Sequence, residues 1–520
     1  MPNPPHEGKW LSGLFATLAF FAFLFQTSHN AYVSDLGADP DEPAHAVTAL
    51  MTRDYLVHGL LHGVNPMRFA QEYYEHFPKV ALGHYPPGFY VVAGLCLLVW
   101  NGKTSLLILL ALLSGACGTA TAAFGRRLGL SRLAGLVAGA WFVALPLTQI
   151  QTMFVMSDLQ VVLGFLMATL AFSKFMDAPT ARHSLIFGAW AAATMLTKAS
   201  GAALAFLPLL AIALRCDWRL LWNWRLWLAP LPVILTAIPW TLATYHLTKD
   251  GMVDTPLPVY FMEALHFYTS SLPDAVSWIA LAGALVAVIL CVKNRRKPSP
   301  AAASLVAMFA GIFVLYLVVR SGMDRRYLLP LASPLILATC WTLEQLFSAR
   351  WKSAACVIAA LAGCFSVTQP NAKSVTGFSE AAAFLVQKAP TGGNILVSSD
   401  ARGEGAFIAE LAFATDDRLH SPWRIVRSSK FLASSDWVGR SYHARFENAE
   451  ALRDGLANDD ITWVLDDMGI PDDYVLLHHR QLHEWLGSEA PRPFTEVARM
   501  SSMRATKTEP HFIVLRHVEK

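Results

Sequence analysis

The stretch WLSGLFATLAFFAFLFQ, residues 10–26, is an unbroken apolar run near the start of the chain. Roughly 20 apolar residues in a helix cross the hydrocarbon core of a bilayer. The run is longer than the apolar part of a signal peptide, and no A-x-A cleavage site follows it cleanly. We therefore predict that residues 10–27 form an uncleaved first transmembrane helix.

The composition of the whole chain agrees with a membrane protein. Of its 520 residues, 54% are hydrophobic and only 15% are charged, whereas a soluble domain carries about 25% charged residues. The net charge of +3 is too small to indicate a nucleic-acid partner. No cysteine pair has CxxC spacing, and six of the seven cysteines lie in apolar runs. We interpret them as buried apolar residues, with no disulfide framework or metal site.

Further apolar runs continue along the chain to residue 369. They lie near 86–100, 104–124, 131–149, 157–175, 183–197, 200–214, 226–247, 275–292, 301–319, 328–346 and 353–369. Loops rich in Lys and Arg mark the cytoplasmic side of a membrane. Such loops occur at 126–132, 215–219, 293–297 and 349–352. Alternation from them places the outer loop 28–85, the loop 248–274 and everything after 370 outside.

These assignments conflict at one place. If both 86–100 and 104–124 cross the membrane, the basic loop 126–132 falls outside, against its charge. Giving the basic loops priority, we predict an odd number of transmembrane helices, 11 or 13. The number of crossings within 86–124 stays open. The outer loop holds seven acids against three Lys or Arg residues, which also favours the outside.

Near residue 370 the chain changes from apolar runs to mixed polar and apolar segments. The segments 394–400, 423–429, 461–467 and 511–517 have the pattern of strands, and 403–414 and 447–457 have that of helices. Strands that alternate with helices predict a small α/β domain. The predicted architecture is thus an α-helical polytopic membrane module, 1–370, followed by an extracytoplasmic α/β domain, 371–520.

Ionisable residues at membrane depth are costly and usually mark a functional site. Several lie where the topology predicts the outer face, in segments far apart in sequence. They are Asp39, Asp41, Glu42, His45, His84, Asp158, Lys198, His246, His266 and the segment 321–330. Because all of them approach the same leaflet, we expect one outward-facing pocket to hold them.

These residues also have plain structural interpretations. Asp41 can cap the helix that begins after it, since an acid and a proline suit a first turn. That helix has an apolar face, so we expect it to lie flat on the membrane surface. Lys198 can be a cation that reaches toward the headgroups. The other plain interpretations are a rigid lead into a span for 84–87, interfacial anchors for Arg325 and Arg326, and ordinary loop histidines for His246 and His266.

Five motifs, in their order and spacing, resemble those of the GT-C glycosyltransferases. They are DPDEPAH (39–45), HYPPGFY (84–90), MSDLQ (156–160), LTKASG (196–201) and RRYLLP (325–330). The resemblance covers roughly residues 10–350 and is strongest to the branch of aminoarabinose transferases and protein-mannosyltransferase-like enzymes (glycosyltransferase family 39-like). Aminoarabinose transferases typically have a lysine directly before the two prolines, and here Tyr85 takes that place. The sugar is therefore left open.

The resemblance implies a sugar donor carried on a polyprenyl phosphate and an acid of the first outer loop that serves the reaction. The implied catalytic residues are Asp41, Glu42 and Asp158. The implied donor-phosphate-binding residues are Lys198, Arg325, Arg326 and Tyr327, and of the two arginines we favour Arg326. The implied substrate pocket contains Asp39, His45, His84 and Tyr85.

The chemistry of these residue types agrees with the resemblance. A carboxylate can take a proton from an acceptor in an inverting sugar transfer. Lys and Arg can hold a lipid phosphate at headgroup depth. The apolar helices of the protein can form a groove within the lipid bilayer that holds the prenyl tail. Asp39 and Asp41 also form a D-x-D pair, which can bind a divalent cation through its oxygens. No other cofactor is indicated.

The function predicted from the sequence is an integral membrane glycosyltransferase of a bacterial inner membrane. It transfers a sugar to an acceptor of the envelope: a glycolipid, a polysaccharide or a protein. A transporter or flippase of a lipid-linked substrate is the main alternative, and a membrane scaffold is another. A transporter places its charges near the bilayer midplane on broken helices, whereas here the charges gather at one interface.

Overall fold

A computed structural model describes residues 5–294, 297–435, 441–487, 494–504 and 507–518. Two residues of the basic loop 293–297 and parts of the segment after 435 are therefore outside the described residues. The α-helices before residue 370 are Pro5–Ser28, Glu42–Asp54, Pro66–His76, Gly88–Val99, Lys103–Arg127, Arg132–Ala144, Pro146–Met153, Asp158–Asp177, Ala181–Thr197, Phe206–Arg215, Pro230–Pro232, Ile238–Thr248, Leu257–Val276, Trp278–Lys293, Pro300–Val318, Leu329–Leu346 and Lys352–Phe365.

Shorter helical turns connect several of these helices. The 3₁₀ turns are Leu60–His62, Ala199–Ala205, Trp218–Trp222, Trp224–Leu228, Lys249–Gly251, Arg325–Leu328 and Asp472–Tyr474, and the π turns are Tyr55–Gly59 and Val233–Ala237. The α-helices after residue 370 are Phe378–Lys388, Ala401–Ala414, Ser428–Phe431, Ala449–Asn458 and Leu477–Gly487.

Within the described residues, six helices are long and apolar enough to cross a membrane, or up to eight if each of two bent pairs is one span. The six are Gly8–Ser28, Lys103–Arg127, Asp158–Asp177, Trp224–Thr248, Pro300–Val318 and Arg325–Leu346. The bent pairs are Arg132–Ala144 with Pro146–Met153, and Leu257–Val276 with Trp278–Lys293. The chain is an integral membrane protein, and 11 or 13 crossings stay a prediction.

The region 86–124 contains one long helix and one short helix. Gly88–Val99 has 12 residues, which at about 1.5 Å per residue reach about 18 Å, well short of a hydrocarbon core of about 30 Å. Lys103–Arg127 has 25 residues and is long enough to cross. One full crossing in this region is compatible with the basic loop 126–132 facing the cytoplasm.

The loop expected at 248–274 is largely a helix. Leu257–Val276 has 20 residues and meets Trp278–Lys293 at an angle of 106°. Tyr260, Ala264 and Tyr268, spaced four residues apart, are fully buried along one face of it. The interpretation of this segment as an open loop is wrong, because this apolar face packs against neighbouring helices.

The helix after Asp41 was expected to lie flat on the membrane surface, and this expectation is wrong. Helix Glu42–Asp54 is buried along nearly its whole length. It packs between Gly88–Val99 and the C-terminal helix Ala401–Ala414. Its apolar face packs against protein and not against lipid. A periodic sequence pattern cannot distinguish these two surroundings.

The α/β prediction for the C-terminal part is confirmed. The strands are β1 (Gly393–Ser398), β2 (Trp423–Arg427), β3 (Ala433–Ser434), β4 (His443–Ala444), β5 (Ile461–Asp467), β6 (Phe494–Arg504) and β7 (Lys507–Val518). Five of them form a sheet in the order β2-β1-β5-β7-β6, and β3 pairs with β4. Strands β2, β1 and β5 are parallel, and β7 runs antiparallel to both its neighbours.

Both faces of this sheet are covered. Ile395 and Val397 of β1 belong to a hydrophobic cluster that continues through Ala401–Ala414 into the outer loop and the membrane helices. Leu396 points the other way, into a smaller cluster that includes Leu452. Successive side chains of a strand point to opposite faces, so one face of the sheet joins the domain to the membrane part. The boundary at 370 stays a prediction.

Candidate active site

Asp41 occupies the position before helix Glu42–Asp54, and its side chain does not cap that helix. Its Oδ2 instead accepts a hydrogen bond of 2.6 Å from Arg326 Nη2 and one of 3.2 Å from the Tyr85 hydroxyl. The capping interpretation of Asp41 is therefore wrong. Three motifs that are far apart in sequence meet at this one carboxylate.

Arg326 is surrounded by acids. Besides Asp41, its guanidinium lies 3.1 Å from Asp324 Oδ2 and 3.8 Å from Asp39 Oδ1. Its side chain is only 11% exposed. Arg325 lies 3.7 Å from Asp274, and both of these side chains are more than half exposed, at 53% and 60%. The choice of Arg326 over Arg325 therefore agrees with the geometry.

A second cation–acid pair lies beside the first. Lys198 directly follows helix Ala181–Thr197, and its Nζ donates a 2.7 Å hydrogen bond to Asp158 Oδ1 at the start of helix Asp158–Asp177. The same Nζ lies 4.4 Å from the ring centroid of Tyr327, which follows Arg326 in sequence. The two predicted phosphate-binding cations therefore flank one tyrosine, and Lys198 is not a cation that reaches out to solvent.

An aromatic wall borders Asp41 on the side of the outer loop. The His45 ring lies 4.8 Å from the Tyr85 ring, and its Nδ1 shares a 2.9 Å hydrogen bond with the Tyr90 hydroxyl. His84 is half-buried in the turn that leads to Tyr85. Tyr85 thus contacts Asp41, and His45 packs against Tyr85. Their place in a substrate pocket stays a prediction.

Glu42 is next to Asp41 in sequence but faces another way. Its Oε1 accepts a 2.6 Å hydrogen bond from Lys373 Nζ, and both side chains are almost fully buried. Its Oε2 accepts hydrogen bonds from the backbone N–H groups of Gly37 and Ala38. The structure thus separates Glu42 from the other implied catalytic acids, Asp41 and Asp158.

The two acids of the D-x-D pair have different proton affinities. Burial raises the pKa of Asp39 to about 6, although the charge of Arg326 opposes this shift. Burial alone would raise the pKa of Asp41 too, but the charge of Arg326 and the hydrogen bonds from Arg326 and Tyr85 hold that pKa below its usual value. Burial lowers the pKa of His45 to about 4, so its imidazole is neutral at pH 7. Asp41 is therefore the stronger acid of the pair, and it stays ionised as the pH falls through the range in which Asp39 takes up a proton.

Two histidines expected near the pocket lie elsewhere. His246 and His266 are exposed on helices Ile238–Thr248 and Leu257–Val276. Sequence reasoning also missed contributors. Asp324 stands in the segment 321–330 just before the two arginines, and that position could have indicated it. Lys373 lies in a stretch without any motif, so no sequence signal marked it.

The predicted divalent cation finds little support in the side chains. Among the residues that the structure describes, no group of three or more His, Cys, Asp or Glu side chains is arranged to hold a metal ion. Asp39 and Asp41 both lie against the Arg326 guanidinium, whose positive charge opposes a metal ion there. The two acids of the D-x-D pair therefore form ion pairs with Arg326 in this structure.

The fold is that of the GT-C glycosyltransferases, as the motifs predicted. ArnT from Cupriavidus metallidurans bound to undecaprenyl phosphate is similar over 97% of both chains, with a TM-score of 0.57 and 13% sequence identity. ArnT in the apo state is similar over 98% of both chains, with a TM-score of 0.56 and 14% identity.

A third similar structure is that of the archaeal oligosaccharyltransferase AglB from Archaeoglobus fulgidus, in complex with an inhibitory peptide and a dolichol-phosphate. The similarity covers 89% of this chain and 70% of AglB, with a TM-score of 0.51 and 10% identity. No family model and no curated protein matches the sequence. At these identities the similarity establishes the fold.

Proposed function

We propose that this protein is a membrane glycosyltransferase of a bacterial inner membrane. It transfers a sugar from a polyprenyl-phosphate-linked donor to an acceptor of the envelope on the outer face. The acceptor class is a glycolipid, a polysaccharide or a protein. The observation that carries the proposal is the pairing of two half-buried cations, Arg326 and Lys198, with two acids, Asp41 and Asp158, around Tyr327.

The cations suit a lipid phosphate. A guanidinium can contact two phosphate oxygens at once, and an ammonium acts as a point charge. Arg326 and Lys198 are 11% and 13% exposed, so water screens them weakly and a phosphate gains more from them than at an open surface. Arg326 stands in the first turn of the candidate span Arg325–Leu346, and Lys198 directly follows helix Ala181–Thr197.

Donor binding and base activation are linked in this arrangement. The Arg326 guanidinium that would bind the phosphate is the same group that holds the pKa of Asp41 down. A phosphate that takes over hydrogen bonds of Arg326 weakens its contact with Asp41. The Asp41 carboxylate then becomes a stronger base when the donor is bound. It therefore takes the proton of the acceptor most readily when a sugar is present to be transferred.

The chemical step then follows from the two pairs. The acceptor oxygen attacks the anomeric carbon, and its proton passes to the Asp41 carboxylate. The bond between that carbon and the phosphate oxygen breaks, and polyprenyl phosphate leaves with the electron pair. Arg326 and Lys198 stabilise the negative charge that develops on the phosphate. The configuration at the anomeric carbon is inverted.

The C-terminal domain shares the side of the membrane with this site in the proposal. Helix Ala401–Ala414 packs on helix Glu42–Asp54, which begins right after Asp41. The basic loops put the opposite ends of the membrane helices in the cytoplasm. Support also comes from ArnT bound to undecaprenyl phosphate and AglB in complex with dolichol-phosphate, because both share the fold and bind lipid phosphates.

A transfer assay tests the proposal. Purified protein in detergent is given polyprenyl-phosphate donors with different radiolabelled sugars, together with an envelope extract as acceptor. The expected result is conversion of one donor to polyprenyl phosphate with label in an envelope fraction, and mass spectrometry of envelope glycans from a deletion strain identifies the lost sugar. Donor that stays unchanged under every condition contradicts the proposal.

A further inference from the structure

The Glu42 carboxylate is saturated with protein hydrogen bonds. Its Oε1 accepts from Lys373 Nζ at 2.6 Å and from Val155 N at 3.3 Å. Its Oε2 accepts from Gly37 N at 3.0 Å and Ala38 N at 3.1 Å. A carboxylate has about four acceptor positions, and the Glu42 side chain has 0% exposure. It therefore has neither a free acceptor position nor a surface for a substrate.

The four donors come from three segments that matter for the site. Gly37 and Ala38 lead into the turn that presents Asp41. Val155 stands three residues before Asp158, the acid that pairs with Lys198. One carboxylate therefore ties together the two loops that carry the acids of both cation–acid pairs.

Lys373 is held in place from several sides. Its backbone N–H donates a 2.9 Å hydrogen bond to His29 O at the end of the first helix. Two residues later, Val375 O accepts a 2.7 Å hydrogen bond from Asp35 N in the outer loop. The Lys373 ammonium also lies 5.9 Å from the ring centroid of Phe154. The segment that leads into the C-terminal domain thus delivers a fixed positive charge to Glu42.

We propose that Glu42 and Lys373 are positioning residues that hold the Asp41 and Asp158 loops in register, and that the C-terminal segment thereby completes the active site. The inference rests on the proposed function and gives Glu42 a role other than the catalytic one implied by the motif. A misplacement of about 1 Å by a change outside the chemistry can cost about 100-fold in rate. Loss of this tie therefore lowers turnover without removing any group that touches substrate.

The test compares two buried ion pairs on the same helix. Lys373→Met/Glu42→Gln removes the pair at the start of helix Glu42–Asp54 without leaving a lone buried charge. Arg418→Met/Asp54→Asn removes the pair at its other end, which is equally short at 2.6 Å and buried at 1% and 4% exposure. Both pairs connect the outer helix to the segment after residue 370, so the second double variant controls for a general loss of stability.

The expected result differs between the two double variants. Lys373→Met/Glu42→Gln lowers kcat by roughly 10- to 100-fold and moves the acidic limb of the kcat pH profile, because the groups facing Asp41 shift. These groups are Arg326, Tyr85, Tyr90, His45, Asp39 and Lys79. Arg418→Met/Asp54→Asn lowers Tm but leaves the pH profile in place. The single variant Lys373→Arg keeps most of the wild-type turnover, because arginine keeps the positive charge beside Glu42.

Hydrogen exchange supplies a readout that needs no turnover. Residues 37–41 and 154–158 exchange faster in Lys373→Met/Glu42→Gln than in the control double variant if the tie exists. Equal exchange and equal pH profiles in the two double variants overturn the inference. The inference is also overturned if the Lys373→Met/Glu42→Gln protein is folded but as inactive as the Asp41→Asn variant, because Glu42 is then a catalytic group. A wild-type protein that uses no donor refutes the proposed function, whereas the exchange result still decides whether the tie exists.

Discussion

Arg326 and Asp41, 285 residues apart in sequence, are joined by a 2.6 Å hydrogen bond between Nη2 and Oδ2. The bond connects the turn Arg325–Leu328 to the outer loop 28–85. It also joins the group proposed to hold the donor phosphate to the group proposed to take the acceptor proton.

Asp41→Asn is expected to abolish transfer while the protein stays folded. Asparagine keeps the shape of the side chain but cannot accept a proton, and general-base catalysis contributes roughly 10²- to 10⁴-fold. Transfer of labelled sugar by purified protein measures the loss. Asp417→Asn, at an acid with a 68% exposed side chain in the C-terminal domain, is the matched control. Normal turnover in folded Asp41→Asn ends the assignment of the base.

Lys198→Ala and Arg326→Ala are each expected to raise the KM for the donor while dependence on the acceptor changes little. A hydrogen bond to a charged group contributes about 1.5–3 kcal/mol. At about 1.4 kcal/mol per tenfold this is a loss of roughly 10- to 150-fold. Steady-state kinetics with donor and acceptor varied separately provide the measurement.

Arg325→Ala is the matched control for Arg326→Ala. The two arginines are adjacent, but Arg325 is 53% exposed and its nearest acid is Asp274. Its loss is expected to change donor KM less than about fivefold, because exposed ion pairs contribute about 0–1 kcal/mol, at about 1.4 kcal/mol per tenfold. Equal effects of the two arginine variants, or unchanged donor kinetics in both Lys198→Ala and Arg326→Ala, count against the phosphate-binding role.

Asp39 is expected to make stability depend on pH between about 4 and 6. Its pKa is raised by burial from 3.8 to about 6 in the folded protein. The folded state therefore binds this proton more tightly than the unfolded state. The resulting stabilisation is complete below the unfolded pKa and is lost as pH rises through about 6.

Asp39→Asn removes this dependence. The Tm of the wild-type protein should fall relative to that of Asp39→Asn as the pH is raised from 4 to 7, measured for both proteins in the same detergent. Asp417→Asn again serves as the control, since its acid is exposed. A constant Tm difference across this pH range would show that Asp39 has an ordinary proton affinity.

The segment after residue 370 is expected to lie outside the cytoplasm. A cysteine at the exposed position 417 should react with an impermeant maleimide in intact cells. Cys216, which is exposed in the basic loop 215–219, should react only after lysis, and each is tested with the other cysteines replaced. The reverse pattern would overturn the odd number of crossings and the side proposed for the site.

Four of the five sequence motifs place a charged residue of the candidate site at a helix end. Asp158 begins a helix, Lys198 directly follows one, and Arg326 stands in a short turn before another. Apolar runs fix where helices end, so charges at those ends converge on one face. The sequence favours Arg326 over Arg325 for a separate reason: Arg326 directly precedes Tyr327 in the motif RRYLLP.

Other features could not be predicted because they depend on long-range packing. The apolar face of helix Glu42–Asp54 is compatible with lipid or with protein, and only the position of Ala401–Ala414 decides between them. The contact between Glu42 and Lys373 needs a lysine from a segment without periodicity. Adjacent acids such as Asp41 and Glu42 look equivalent in sequence, yet a helix start points their side chains in different directions.

The tie between Glu42 and Lys373 has a consequence for biosynthesis. The two residues are separated by 331 positions, and ribosomes add roughly 5–20 residues per second. Glu42 is therefore made roughly 15–70 s before its cation, and every membrane helix after the first is made in between. A chain that stops short of Lys373 keeps the motifs that carry the chemistry but leaves Glu42 without its partner, so only nearly full-length chains assemble a working site.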